Sequence, residues 1–74
     1  MKVCRPEIEA FLSEHGWTRS RRSSSHEAWT KTGRPRPAIV DHNCDELPEE
    51  HVRSILRAMG LSRNVLRKFL KRWH

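Results

Sequence analysis

Trp17-Thr18-Arg19-Ser20-Arg21-Arg22-Ser23-Ser24-Ser25-His26-Glu27-Ala28-Trp29-Thr30-Lys31 is the stretch whose reading decides the fold. Its apolar residues do not recur at three- and four-residue spacing, so it is no amphipathic helix, and the serine run breaks it midway as a turn does. The reading is a strand at about 17 to 22, a turn on the serines and a second strand at about 26 to 31. Thr32-Gly33-Arg34-Pro35 then forms another turn before a third strand at about 36 to 40. Side chains alternate across a strand, so Trp29, three positions from His26, faces the opposite side. An exposed His26 therefore implies an inward Trp29, and Trp17 and Trp29 are expected in the core.

Helical spacing returns on both sides of this meander. Ile8, Phe11 and Leu12 share one face of a helix over about 6 to 15, with Pro6 in the first turn, Glu7 and Glu9 near its positive end and Gly16 at its close. Asp41 to Leu47 reads as polar loop. Pro48 and Glu49-Glu50 then open a second helix with Val52, Ile55, Leu56 and Met59 on its apolar side and Gly60 at its end. Ser62 is placed to cap a third helix, whose apolar side carries Val65, Leu66, Phe69, Leu70 and Trp73. The expected class is α+β, with helix, three-stranded antiparallel sheet and two helices in the order α-β-β-β-α-α. Helices on one face of such a sheet leave the other face open for a ligand.

With 74 residues the chain is read as a single domain over 1 to 74, thin-cored because Leu, Ile, Val and Phe number only 15. The net charge of +6 is blocked: −1 over residues 1 to 16, +5 over 17 to 40, −3 over 41 to 60 and +5 over 61 to 74. Two cationic segments around an acidic one suit a polyanion, most often nucleic acid. No apolar run approaches the roughly 18 residues of a membrane span, so a cytoplasmic protein without membrane partners is expected. Cys4 and Cys44, forty positions apart, suggest free thiols in a reducing compartment. The pair His42 and Cys44 does not repeat the paired spacing of zinc sites, and neither a metal nor another cofactor is expected.

The chemistry centres on His26. Imidazole gives or takes a proton near neutrality, and forked guanidinium donors suit phosphate oxygens. RNA brings its own nucleophile in the 2′-hydroxyl, so cleaving it requires proton transfer, alignment and stabilisation of the added charge at phosphorus. His26 is the candidate catalytic acid or base. Arg21, Arg22 or Lys31 along the hairpin are the candidate phosphate ligands, and His42 is a possible accessory acid. A hydrolase-type nucleophile at Ser25 lacks the partner acid and the glycine-flanked elbow such serines need.

Several pieces together resemble a known family: His15-Gly16-Trp17 after the first helix, the Arg-rich first strand, Ser25-His26 followed by Trp29, Val40-Asp41-His42, Leu47-Pro48, and Val52-Arg53-Ser54-Ile55-Leu56-Arg57-Ala58-Met59-Gly60-Leu61. The chain is similar, over nearly its whole length, to the HicA (YcfA-like) toxins. That resemblance implies a double-stranded-RNA-binding-domain-like fold, the toxin of a type II toxin-antitoxin system, and endoribonuclease activity on mRNA without a metal. It also implies a HicB-like antitoxin as partner. The family's Gly-Ser-His signature carries its catalytic histidine onto His26 and its serine onto Ser25. Ser24 stands where the family has glycine, and Asp41 precedes His42 where the family tends to have proline. Ser24 and Ser25 join Arg21, Arg22 and Lys31 as expected RNA-binding residues. The alternative function is a non-catalytic RNA-binding module of the same fold. A DNA-binding regulator lacks the helix-turn-helix spacing that would recommend it.

Overall fold

The computed structural model describes residues 2–23, 25–41 and 45–73. The helix α1 spans Arg5–Glu14, the strands β1, β2 and β3 span Thr18–Arg22, His26–Thr30 and Ala38–Asp41, and the helices α2 and α3 span Glu49–Met59 and Arg63–Trp73. The sheet is antiparallel in the order β1-β2-β3. This is the α+β order read from the sequence. The third strand starts at Ala38 and not at 36, since Pro37 has no N–H to give to a ladder.

Both α1 and α2 end on a left-handed glycine, Gly16 at φ 84° and Gly60 at φ 72°. The closing bonds are the same at each end. Gly16 N–H reaches Ser13 C=O and Trp17 N–H reaches Leu12 C=O at 3.1 and 3.0 Å, while Gly60 N–H reaches Arg57 C=O and Leu61 N–H reaches Leu56 C=O at 3.2 and 3.0 Å. Residues with a Cβ resist this conformation, which is why glycine stands at both stops. At α1 the motif also sets the tertiary course, because the Trp17 that follows Gly16 is buried beside Leu12 just as β1 begins. Arg34, from the loop between β2 and β3, donates from Nε and Nη2 to Ala58 C=O at 3.3 and 3.0 Å and so caps the end of α2.

The core lies between one face of the sheet and the three helices. Trp29, Ala38 and Val40 point into it from the strands, and Ile8, Phe11, Leu12, Val52, Ile55 and Leu66 from the helices. Here α2 packs on β3 and α1 on α3. Phe11 meets Phe69 edge-on at 5.2 Å between ring centres. Arg72 reaches Glu14 at 2.9 Å, and Arg63 pairs with Glu49 to fix the start of α3 beside that of α2.

Two sequence expectations change. Leu47, read as part of a polar loop, is buried, because its N–H bonds Val3 C=O at 2.8 Å and holds the two segments together at the Cys4–Glu46 bridge. Trp73, read as a core residue of α3, is 49% exposed and stacks on Phe69 at 5.8 Å. Arg72 already touches the last residue of α1, so among the described residues Trp73 lies past the end of the helix that α3 packs against.

Candidate active site on the open sheet face

His26 is the first residue of β2 and is exposed. The burial of Glu27 and Trp29 and the exposure of His26 follow the alternation expected of a strand with one covered face. Ser23 holds the histidine backbone from across the hairpin: its N–H reaches His26 C=O at 2.8 Å, and its Oγ accepts the His26 N–H at 3.1 Å. The Ser25 hydroxyl lies 2.9 Å from Nδ1 of the imidazole. A hydroxyl both donates and accepts, so this contact survives a change of tautomer and leaves Nε2 as the nitrogen toward solvent.

The register shows what stands around it. Arg21 pairs with Ala28 and so shares the open face with His26, on the diagonal, about 7–8 Å away and within reach of a long side chain. Arg22 pairs with Glu27, which assigns it by register to the other side of the sheet, at the exposed edge next to the turn. Lys31 follows the far end of β2, five residues from His26, roughly 16 Å along an extended strand. Its side chain runs past Gly16, where an added Cβ would meet Lys31 Cε at 3.5 Å. The structure thus brings Arg21, Ser25 and His26 together, sets Arg22 at the rim and keeps Lys31 apart. Ser24 and His42 lie outside the described residues, as do Cys44 and His74.

Sequence reasoning missed two neighbours. Asp41 pairs with His26 across β2 and β3. His26 turns its N–H and C=O toward Ser23, so the pair with Asp41 is a non-hydrogen-bonded one, with Cα atoms about 4.5 Å apart and side chains on the same face. No sequence signal identifies this pairing, because the seven-residue connection from Lys31 to Pro37 leaves the register of β3 open. Beside it Ile39, 47% exposed and opposite Ala28, adds an apolar patch.

Glu27 is the second, and its signal was present. Parity that sends Trp29 inward sends Glu27 inward too, and it is 1% exposed. Arg19 Nη1 donates to its Oε2 at 2.8 Å and Trp29 Nε1 to its Oε1 at 3.1 Å, and its carboxyl also hydrogen-bonds that of Glu9. These partners are what make the buried carboxyl tolerable.

Burial, followed by the hydrogen bond and the charge of Glu27, pushes the Glu9 carboxyl above its ordinary 4.5, against the opposing pull of Arg5 and Arg19. A carboxyl raised in the folded state contributes stability below its unfolded pKa and loses that contribution as pH rises through the folded value. Glu9→Gln keeps a donor for Glu27 and removes the titration. Urea unfolding at pH 4 and pH 7 is expected to show the variant gaining on the parent as pH rises; an unchanged difference would exclude this role for Glu9.

The geometry is an exposed imidazole fixed at Nδ1, with a guanidinium on the same face and a carboxylate opposite. Comparison with family models matches residues 5–61 to the HicA toxin of bacterial toxin-antitoxin. The chain belongs to the HicA toxin family. No curated protein and no solved structure matches. The HicA match takes in α1, the whole sheet, α2 and the left-handed Gly60, while α3 lies beyond it. Every element that positions His26 is therefore within the HicA region. Among the described residues no helix is long and apolar enough to cross a membrane.

Proposed function

We propose that this HicA-family chain is a metal-independent endoribonuclease that cleaves mRNA through His26. The observation that carries the reading is the exposed imidazole of His26, held at Nδ1 by Ser25 on a sheet face that also presents Arg21. RNA laid on this face places a ribose 2′-hydroxyl against Nε2. Nε2 takes the proton of the 2′-hydroxyl, whose oxygen attacks the adjacent phosphorus as the P–O5′ bond breaks; the leaving 5′-oxygen takes a proton from solvent, giving a 2′,3′-cyclic phosphate and a 5′-hydroxyl. Ser25 accepts from or donates to Nδ1 in each half of this cycle, which keeps the ring in place as its proton count changes.

Arg21, with Arg22 at the rim and the Ser25 hydroxyl, holds the phosphate and stabilises its added charge. Lys31 serves phosphates further along the strand. Ser24 is kept as a contact to the RNA and His42 as an accessory acid. Ile39 offers an apolar contact for a base. The toxin acts in the cytoplasm and is neutralised by a HicB-like antitoxin.

The test is an oligoribonucleotide cleaved in the presence of chelator, beside a copy with one 2′-deoxynucleotide immediately 5′ of the scissile phosphate. The deoxy substitution is expected to abolish cleavage at that position alone and leave other sites unchanged. Equal cleavage of both would overturn attack by the 2′-hydroxyl, and binding of RNA with no turnover at all would replace the nuclease with the RNA-binding module.

A further inference from the structure

The first strand of the sheet is open along its outer edge. Among the described residues β1 has β2 on one side and no strand on the other, and all five of its residues are exposed, three of them arginine. Ser23 and His26 form a hydrogen-bonded pair, so in the adjacent Arg22–Glu27 pair the N–H and C=O of Arg22 point outward. An outward pair of this kind is a template for another strand. A second copy of this chain fits poorly, because pairing two β1 strands would set arginines against arginines.

Behind this edge lies a cleft of about 420 Å³ between α1 and β1, lined by Glu9, Ala10, Ser13, Trp17, Arg19 and Trp29. Trp17 is 3% exposed, and among the described residues its indole N–H has no acceptor. The cleft opens on the covered side of the sheet, whereas Arg21 stands on the open side with His26. RNA lying on the open face stays on the side of the sheet away from the cleft, whose lining of Ala10, Trp17 and Trp29 offers little to a phosphate. An added strand reaches both sides at once, because its side chains alternate between the two faces.

We propose that β1 is the docking edge for an acidic extended segment of the antitoxin, which adds a fourth strand to the sheet. Its carboxylates pair with Arg21 and Arg22, and an apolar side chain further along the strand enters the cleft behind Arg19. The strand would lie along the arginines that flank His26 and so deny them to RNA by charge and by bulk. The proposal rests on the toxin-antitoxin pairing of the family and not on cleavage, so it is read in a His26→Ala background, where a failure of the nuclease reading leaves it standing.

The probe is the purified complex of the His26→Ala chain with its antitoxin, compared with the free chain and with the chain plus a 12-nucleotide RNA. Amide exchange at Arg22 is expected to slow by at least tenfold in the antitoxin complex. Arg22→Pro removes only an outward N–H, a change that edge strands accept, and is compared with Arg22→Ala, which removes the same charge. The proline variant is expected to bind antitoxin about tenfold more weakly than the alanine variant, the effect of one lost interstrand hydrogen bond. Ser13→Trp, which fills the cleft and touches no ladder bond, is expected to weaken binding as well. Exchange at Arg22 that is unchanged by antitoxin, or slowed only by RNA, would overturn the proposal, as would equal affinities for all three variants and the parent.

Discussion

Replacing His26 with alanine is expected to lower the rate of RNA cleavage by about 10²–10⁴, the usual contribution of one positioned acid or base. The protein should remain folded. His26 is exposed at the head of β2, and its backbone is held by Ser23 through main-chain atoms and a serine hydroxyl that alanine at position 26 leaves in place. Binding of RNA should survive, since Arg21 and Arg22 are unchanged, so the loss falls on turnover and not on affinity. A single-turnover assay with excess protein separates the two, and induced expression in bacteria adds a cellular readout in which the parent arrests growth and the variant does not. Equal turnover by parent and variant would remove His26 from the mechanism. Intact RNA with both proteins would remove the nuclease.

The largest expected effect on stability is at Phe11. It is fully buried, packs edge-on against Phe69 and stands 4.5 Å from the ring of His15. Through these contacts it joins α1 to α3, two helices that pack against each other over the core. Phe→Ala in a core costs about 3–5 kcal/mol through lost transfer energy and the cavity left behind. A domain of this length has a total stability of the order of 4–11 kcal/mol, at roughly 0.05–0.15 kcal/mol per residue. The substitution thus removes about a quarter or more of what holds the fold together, and melting is expected to fall by some 12–40 °C. Phe11→Leu, nearer in volume, should cost under about 1.5 kcal/mol. Chemical denaturation with an unchanged slope and a lower midpoint for Phe11→Ala is the expected record. A midpoint within error of the parent would mean that α3 is not needed to close the core.

The contrast between Trp29 and Trp73 shows where local pattern stops being informative. In β2 an alternation of two decides the outcome, because one face of a sheet covered by helices must be apolar, and that placed Trp29 inside and His26 outside. In α3 the periodicity placed Trp73 on the apolar side correctly, yet helical spacing says nothing of how far the neighbouring helix extends, and α1 ends at Glu14, beside Arg72. Glu27 marks a different gap. A carboxylate is assigned to the surface by habit, and only its partners Arg19, Trp29 and Glu9 explain why it is inside.

What the sequence determined by itself is the set of elements and their stops, the two faces of the sheet and His26 as the reactive candidate. Each of these rests on local rules: periodicity, glycine at left-handed positions, turn chemistry and an imidazole among cations. What only the tertiary structure decided is who stands beside whom. Asp41 comes opposite His26, Lys31 departs from it, Arg22 turns to the rim, and β1 is left with an open edge over a tryptophan-lined cleft. These are relations between segments joined by loops that do not set a register, and they are settled by the packing of the sheet on its helices, in which many distant residues take part at once.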